Sequence, residues 1–178
     1  MRIMEKTGID SMDKSDIFLS VIESNKGIIY KIVNSYCQHF DDRQDLVQEI
    51  IIQLWKSFDQ YDSTFRHSTW IYRISLNVAI SFYRKAHSRK KISDPLTEGI
   101  FNFPDDEGGE DKETDLGMLQ QLISQLKDLD KALMLLYLEE KSHKEIAQII
   151  GISETNVATK INRIKNNFKE KFLQLKNK

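Results

Sequence analysis

The residues best suited to chemistry in this sequence are polar side chains of the kind that bind nucleic acid. From Ser153 to Arg163 they occupy one face of a predicted helix, while Val157 and Ile161 belong to an apolar stripe opposite. Asn and Arg make paired hydrogen bonds to base edges, whereas Lys and Thr more often contact phosphates. The segment therefore predicts a DNA-reading helix in which Asn156 and Arg163 contact bases. A solvated helix face is the alternative.

A second pattern interleaves aromatic and cationic residues between positions 58 and 85. Bases of single-stranded DNA stack on aromatic rings while cations follow the backbone, and the loop from Ser57 to His67 offers a place for an extruded base. The alternative is that these rings are core residues, which is the expectation for Trp70. The pattern comprises Phe58, Tyr61, Phe65, Trp70, Tyr72 and Tyr83 with Arg66, Arg73, Arg84 and Lys85.

Residue types that support catalysis or metal binding lack the necessary partners. The four histidines stand alone, and Cys37 is the single cysteine, which excludes a thiolate zinc site and favours a buried apolar role. Asp41 and Asp42 fit helix capping better than acid–base catalysis, and Glu49 fits a solvent-facing position. We therefore expect no catalytic residue, no metal, no cofactor and no enzymatic activity.

The elements that would position these residues are all helices. Apolar residues recur at helical spacing from Ile17 to Tyr36, where Gly27 is a candidate interruption, and from Leu46 to Phe58 after a cap at Asp41 or Asp42. A further helix starts near Ser68. No strand-like alternation or glycine-rich phosphate loop occurs in the sequence, so the predicted fold class is all-α.

The C-terminal part predicts helices over Leu116 to Leu126 and Leu129 to Leu138, followed by a helix-turn-helix. Ser142 and Glu145 have the spacing of a capping box that opens a short helix. Gly151 ends that helix by allowing a positive φ, and Ser153 caps the next one. An ordinary helical hairpin is the alternative to a DNA-binding motif.

Charge divides the chain into two mildly basic parts around an acidic centre. The net charge is −1, yet residues 94–115 contain nine acids, one base and both prolines. Such a segment is typical of a flexible linker. We therefore predict two small helical domains, at 16–93 and 116–178, with a flexible N-terminus at 1–15 and the acidic linker at 94–115. Because no apolar run approaches the ~20 residues of a membrane span, we expect a cytoplasmic protein that makes no membrane contact itself.

Taken in order, several motifs resemble an extracytoplasmic-function sigma factor of bacterial RNA polymerase. They are the DLVQE segment at 45–49 followed by Leu54-Trp55, the stretch FRHSTWIYRISLN at 65–77, and Glu145-Ile146-Ala147 through Gly151-Ile152-Ser153 to Val157. The resemblance covers about 150 residues. It implies an alternative sigma factor, without a catalytic site, that binds core RNA polymerase and directs initiation at promoters. It also implies an anti-sigma factor as partner.

The resemblance assigns a role to each group of residues. Core polymerase binding falls to Asp45, Leu46, Gln48, Glu49 and Trp55, of which Leu46 and Trp55 are equally candidates for the core. Reading and melting of the minus-ten element of promoter DNA, as duplex and single strand, falls to Tyr61, Phe65, Trp70, Arg73, Asn77, Arg84 and Lys85. Reading of the minus-thirty-five element falls to Ser153, Glu154, Thr155, Asn156, Thr159, Lys160 and Arg163.

Departures from the family pattern put the promoter sequence beyond prediction. The usual Leu-Pro opening of the C-terminal domain is absent, and Leu136 replaces an Arg that is common before the Tyr.

Two other classes of protein stay open on the residues alone. A free-standing helix-turn-helix regulator would bind a symmetric operator as a dimer without polymerase, and a helical adaptor would show no salt-dependent DNA binding.

Overall fold

The computed structural model describes residues 13–37, 39–90 and 110–176. Within these ranges the chain forms seven α-helices and one short 3₁₀ helix, and no strand. The helices are α1 (Lys14–Tyr36), α2 (Phe40–Ser57), α3 (His67–Lys90), α4 (Glu110–Ser124), α5 (Asp128–Leu138), α6 (His143–Ile150) and α7 (Glu154–Lys176), and the 3₁₀ helix spans Phe58–Gln60. The predicted all-α fold class is confirmed. The residues between 91 and 109, most of the predicted linker, lie outside the described ranges, as do residues 1–12.

The N-terminal helices, α1 to α3, pack around one apolar seam. On α2, Leu46, Ile50 and Leu54 are spaced four residues apart and are completely buried, as expected for one face of an α-helix. They meet α1 and α3, which also contact each other. This packing fixes the direction in which the polar residues of α2 and α3 project.

The C-terminal helices, α4 to α7, build a second seam. Leu133 and Leu136 of α5 pack with Ile146 of α6 and with Val157 and Ile161 of α7. A smaller cluster joins α4 to the rest through the buried side chains of Leu122, Met134, Ile164 and Phe168. The apolar stripe predicted for the second helix of the helix-turn-helix is therefore its buried face.

The N-terminal and C-terminal helices also pack against each other. Helix α3 contacts both α5 and α6, and a single apolar cluster runs without a break from Phe18 in α1 to Ile161 in α7. The structure thus brings together two sets of helices that the sequence predicts to be separate domains.

Helices α1, α2 and α4 differ from the sequence prediction. Helix α1 continues through Gly27, because a helical glycine costs only about 1 kcal/mol relative to alanine and buried Ile29, Ile32 and Val33 anchor the helix beyond it. Helix α2 is preceded by His39 at the N-cap, so Asp41 and Asp42 lie in the first turn. There their charge complements the helix dipole.

Helix α4 begins at Glu110, inside the segment predicted as linker. The segment 110–115 is rich in acids, and acidic residues are favoured in the first turn of a helix because they face its positive dipole end. Composition alone suggested an extended chain here, whereas the helical backbone extends into it. The helix ends at Ser124, two residues before the predicted end at Leu126.

Candidate nucleic-acid interface

The turn between α6 and α7 has the geometry of a helix-turn-helix. Ser142 Oγ accepts a hydrogen bond from the Glu145 N–H (3.2 Å), and Glu145 Oε2 accepts one from the Ser142 N–H (2.9 Å). This capping box was predicted from the sequence and is confirmed. The hydrogen bonds from Ser142 hold the pKa of the Glu145 carboxyl below its usual range, because they stabilise its charged form.

Gly151 ends α6 in the left-handed conformation, with φ 80° and ψ 33°. Ser153 follows and accepts a hydrogen bond on Oγ from the Asn156 N–H (3.2 Å), which caps α7 as predicted. Val157 and Ile161 are buried in the core cluster. The short turn and the buried stripe therefore fix the angle of α7 against α6 and direct its opposite face outward.

That outward face of α7 contains the residues predicted to read duplex DNA. Ser153, Glu154, Thr155, Asn156, Thr159 and Arg163 are exposed, and Lys160 is half-buried. Thr159 Oγ1 donates to the Thr155 carbonyl (2.9 Å), and Arg163 pairs with Asp130 of α5 (3.2 Å). The other polar side chains of this face, from Ser153 to Asn156, are exposed at the protein surface.

Aromatic rings of the 3₁₀ helix, the loop after it and the first turn of α3 form a cluster. The Tyr61 ring stacks on His67 with 4.6 Å between centroids and lies 5.3 Å from the Trp70 ring, and Phe58 lies 6.0 Å from Trp70. The Tyr61 hydroxyl donates to the Phe65 carbonyl, which closes the loop. Trp70 is half-buried and packs against the core cluster. It therefore contributes to the core, as expected, and keeps part of its ring exposed.

One face of α3 presents the cationic and amide residues predicted for the minus-ten element. Arg73, Asn77, Arg84 and Lys85 are all exposed. Arg73 and Arg84 nevertheless bond to the C-terminal helices: Arg73 donates to the Gln148 carbonyl, and Arg84 Nε lies 2.7 Å from Asp128 Oδ2. The guanidinium of Arg73 also lies over the Phe65 ring at 5.7 Å. Through Arg73 and Arg84, this face of α3 contacts α6 and α5.

The α2 residues predicted to contact polymerase divide into exposed and buried groups. Asp45, Gln48 and Glu49 are exposed, whereas Leu46 is completely buried and belongs to the core, one of the two roles left open for it. Trp55 is 40% exposed, and its ring packs edge-on against Phe18 at 5.0 Å. The exposed members form an acidic and amide surface with an aromatic ring at one end.

Sequence reasoning did not find the polar residues between the two sets of helices. Lys131 is only 3% exposed, and its ammonium lies 5.4 Å and 5.3 Å from the ring centroids of Tyr36 and Tyr83. Burial lowers the pKa of Lys131, and nearby Asp128 opposes that shift. The Tyr36 hydroxyl donates to the Asp128 carbonyl (2.9 Å), and burial raises its pKa. The sequence feature that could have indicated this buried polar residue is the position of Lys131 next to the apolar residues of α5.

The described ranges contain no group of three His, Cys, Asp or Glu side chains that could hold a metal ion. In the same part of the chain, none of the helices combines the length and the apolar character needed to cross a membrane. The candidate interface consists of an amide- and cation-bearing face on each of α3 and α7, an aromatic cluster, and an acidic face on α2.

Comparison with known proteins agrees with this geometry. Residues 21–89 match the family model for Sigma-70 region 2, and residues 116–167 match the model for Sigma-70, region 4. The extracytoplasmic-function (ECF) RNA polymerase sigma factor SigW of Bacillus subtilis is 29% identical over 175 residues, which cover 92% of this chain and 94% of that protein. The ECF RNA polymerase sigma-E factor of Haemophilus influenzae is 27% identical over 147 residues, covering 76% and 77%.

Solved structures share the fold. The sigma factor RpoE, crystallised in complex with the anti-sigma factor NepR from Bartonella quintana, superposes with a TM-score of 0.64 at 20% identity, covering 89% of this chain and 95% of that chain. CnrH, in complex with the cytosolic domain of CnrY, gives 0.63 at 17% identity and covers 90% of each. Two matched regions in the family's order, full-length relatives and a shared fold agree: the chain belongs to the sigma-70 family as an extracytoplasmic-function sigma factor, an alternative sigma factor that directs promoter-specific transcription.

Proposed function

We propose that the exposed face of α7 reads the minus-thirty-five element of the promoter in the major groove. The observation that carries this proposal is the capped turn at Gly151, which holds α7 with its polar face outward. Asn156 and Arg163 are the residues that contact base edges, because their side chains can form paired hydrogen bonds. Thr155, Thr159 and Lys160 contact phosphates and fix the register of the helix.

The minus-ten element is read and opened by α3 and the aromatic cluster. Asn77 offers both a donor and an acceptor to a base edge, and Arg73, Arg84 and Lys85 follow the phosphate backbone. Tyr61, Phe65 and Trp70 provide rings on which an unpaired base can stack, each stacked base contributing about 1–3 kcal/mol. The half-buried cluster of Tyr61 and Trp70 supports this role because its rings are already held in place.

Core RNA polymerase binds the exposed face of α2. Asp45, Gln48 and Glu49 supply charge and hydrogen-bond acceptors, and the exposed edge of Trp55 supplies an apolar anchor of the type that dominates protein interfaces. Leu46 contributes only by holding α2 in place. The domain division at 16–93 and 116–178, with a connecting segment between, assigns polymerase binding and minus-ten recognition to the first domain.

Regulation and location follow from the same assignment. A relative of the same fold is known in complex with an anti-sigma factor, and an anti-sigma partner is accordingly part of this proposal. The protein acts in the cytoplasm, together with RNA polymerase. Sigma factors are not enzymes themselves, and the catalytic step belongs to the polymerase.

Transcription in vitro with sigma-free core polymerase tests the two DNA roles. We expect Asn77→Ala and Arg163→Ala each to lower promoter-specific transcripts about tenfold, since a paired base contact contributes about 1–3 kcal/mol of discrimination. Core binding, measured by fluorescence anisotropy, stays unchanged. The matched control for Asn77→Ala is Asn34→Ala, at an exposed position of α1. The control for Arg163→Ala is Lys169→Ala, at an exposed position further along α7. Equal transcript levels for the test variants and their controls would refute the assigned roles.

The polymerase role of α2 is tested separately. Glu49→Ala is expected to weaken core binding and to leave the unfolding free energy unchanged within about 0.5 kcal/mol, because the residue is exposed. Glu23→Ala, which removes an exposed carboxylate from α1, is the control. A symmetric footprint on duplex DNA in the absence of polymerase would instead favour a free-standing regulator.

A further inference from the structure

One residue assigned to base reading is bound by a side chain from outside the DNA-facing helix. Arg163 of α7 donates from Nη2 to Asp130 Oδ2 of α5, with 3.2 Å between the two atoms. The Arg163 side chain is 66% exposed, whereas that of Asp130 is 19% exposed. The carboxylate is therefore the more firmly held partner, and it limits where the guanidinium can go.

The packing of α5 against α7 fixes the position of Asp130. This residue lies in the first turn of α5, where its charge faces the positive end of the helix dipole. Met134 lies four residues further along the same face of α5. It shares a buried cluster with Ile164 of α7, the residue next to Arg163. The buried contact between the two helices thus sets the spacing of the ion pair.

The ion pair leaves most of the Arg163 guanidinium available for DNA. A guanidinium has five N–H groups in one plane, and the bond to Asp130 uses one of them. Two N–H groups are enough for the paired hydrogen bonds that arginine makes to O6 and N7 of guanine. One edge of the guanidinium can therefore bind the carboxylate while another edge binds a base.

A carboxylate beside Arg163 also favours bases over phosphates as its partners. An unrestrained arginine can turn towards the DNA backbone, and phosphate contacts carry no direct sequence information. The charge of Asp130 attracts the guanidinium and repels phosphates. Holding the side chain before DNA binds also reduces the entropy that is lost on binding. Because exposed ion pairs contribute little to stability, the effect of Asp130 is on orientation rather than on folding.

We propose that Asp130 is a positioning residue, which holds the Arg163 guanidinium so that it reads a guanine of the minus-thirty-five element instead of a phosphate. The inference rests on the proposed function, because it takes α7 as the reading helix and Arg163 as a base contact. It adds a residue of α5, outside the helix-turn-helix, and it names the base that Arg163 selects. Asp130 acts only through Arg163.

Transcription from a pool of promoters tests this role. The full chain is combined with sigma-free core polymerase and a promoter mapped from its transcript 5′ ends, randomised in the minus-thirty-five element and marked by transcribed barcodes. Barcode counts give the base preference at each position. The test variant is Asp130→Ala. The control is Asp128→Ala, which removes an acid of similar exposure (20%) from the same helical turn, but one that pairs with Arg84 of α3.

We expect the wild type to prefer guanine about tenfold at one position, and Arg163→Ala to lose that preference. Asp130→Ala is expected to reduce it to about threefold or less, at that position and at no other. Asp130→Glu, which keeps the carboxylate, recovers most of the preference, and Asp128→Ala keeps it in full. Because the ion pair is exposed, Tm of Asp130→Ala stays within about 3 °C of the wild type.

Four outcomes would overturn the proposal. They are an unchanged guanine preference in Asp130→Ala, a loss spread over all positions, an equal loss in Asp128→Ala, and a preference for another base at the position that depends on Arg163. If Asp130→Ala loses helical content by circular dichroism, Asp130→Asn replaces it with the same expectation, since it keeps the shape of the side chain and removes its charge.

Removal of one acceptor from the DNA tests the contact independently. 7-Deazaguanine lacks N7 and keeps O6, so it allows only one of the two hydrogen bonds to arginine. Placed at the preferred position, it is expected to lower wild-type transcription about fivefold and to have little effect with Arg163→Ala. The effect with Asp130→Ala is expected to be smaller than in the wild type. An equal loss in the wild type and in Asp130→Ala would reject the positioning role.

The outcomes also separate this inference from the proposed function. If Arg163→Ala loses the guanine preference and Asp130→Ala keeps it, α7 reads the element and the positioning role of Asp130 is rejected. If Arg163→Ala changes no base preference, the base contact assigned to Arg163 in the proposed function fails. The role of Asp130 is then rejected with it.

Discussion

Replacing Gly151 by alanine tests whether the helix-turn-helix depends on a left-handed backbone at this position. The glycine has φ 80°, a conformation that costs an L-residue roughly 1–2 kcal/mol because Cβ approaches the carbonyl oxygen. A Cβ built at Gly151 meets no atom within 4 Å. The whole cost is therefore conformational, and we expect a loss of about 1–2 kcal/mol in the free energy of unfolding.

Gly27 provides the matched control, since the same substitution is expected to act there with the opposite sign. This glycine lies within continuous helix α1, and a Cβ built on it also meets nothing within 4 Å. Alanine is favoured over glycine in a helix interior by about 0.5–1 kcal/mol. Gly27→Ala is therefore expected to stabilise the protein, which separates the two variants by about 1.5–3 kcal/mol.

Urea denaturation gives the unfolding free energy of both variants and thermal unfolding gives Tm, each followed by circular dichroism. At about 2–4 °C per kcal/mol for a chain of this size, Gly151→Ala lowers Tm by about 2–8 °C and Gly27→Ala raises it by about 1–4 °C. A shift of the same sign in both variants would refute the assignment of a left-handed turn between α6 and α7. Gly151→Ala without effect would refute it as well.

The remaining predictions concern the cap, the core and the thiol. Ser142→Ala is expected to lower stability by about 1 kcal/mol in urea melts because it removes the capping box. The pKa of Glu145 is lowered in the fold, so its contribution is present above its unfolded pKa of about 4.3 and is lost as pH falls through its folded pKa. Glu145→Gln should therefore flatten the pH dependence of unfolding in that acidic window, and an unchanged slope would contradict the hydrogen bonds to Glu145. Leu46→Ala is expected to cost about 2–5 kcal/mol in the same melts because the side chain is completely buried, and a loss below about 1 kcal/mol would place it outside the core. Burial raises the pKa of the Cys37 thiol to about 11, so alkylation by iodoacetamide at pH 8 should be about a hundredfold slower than in urea-unfolded protein, and equal rates would contradict the burial.

Apolar periodicity and capping residues were sufficient to predict most of the helices. The capping box at Ser142, the turn at Gly151 and the cap at Ser153 each act within a few residues, so local sequence determines them. The interruption predicted at Gly27 was wrong because buried residues beyond it hold the helix together. Tertiary packing outweighed a local propensity of about 1 kcal/mol.

The relation between the two sets of helices could not be predicted from the sequence. Asp128 and Asp130 are acids in the first turn of α5, a pattern explained locally by the helix dipole. Their pairing with Arg84 and Arg163 depends on residues 44 and 33 positions away. A linear pattern contains no signal for such contacts. For the burial of Lys131 against the Tyr36 and Tyr83 rings, the sequence offered only a lysine inside the apolar run of α5.

Promoter-specific initiation is tested most directly by transcription from genomic DNA by sigma-free core polymerase with the purified chain, followed by sequencing of transcript 5′ ends. We expect new starts that share two upstream sequence elements at fixed spacing. We also expect Asn77→Ala and Arg163→Ala to weaken these starts while Asn34→Ala and Lys169→Ala do not. No new starts with a chain that binds core polymerase, or starts without shared upstream elements, would contradict the assignment as a promoter-specific sigma factor.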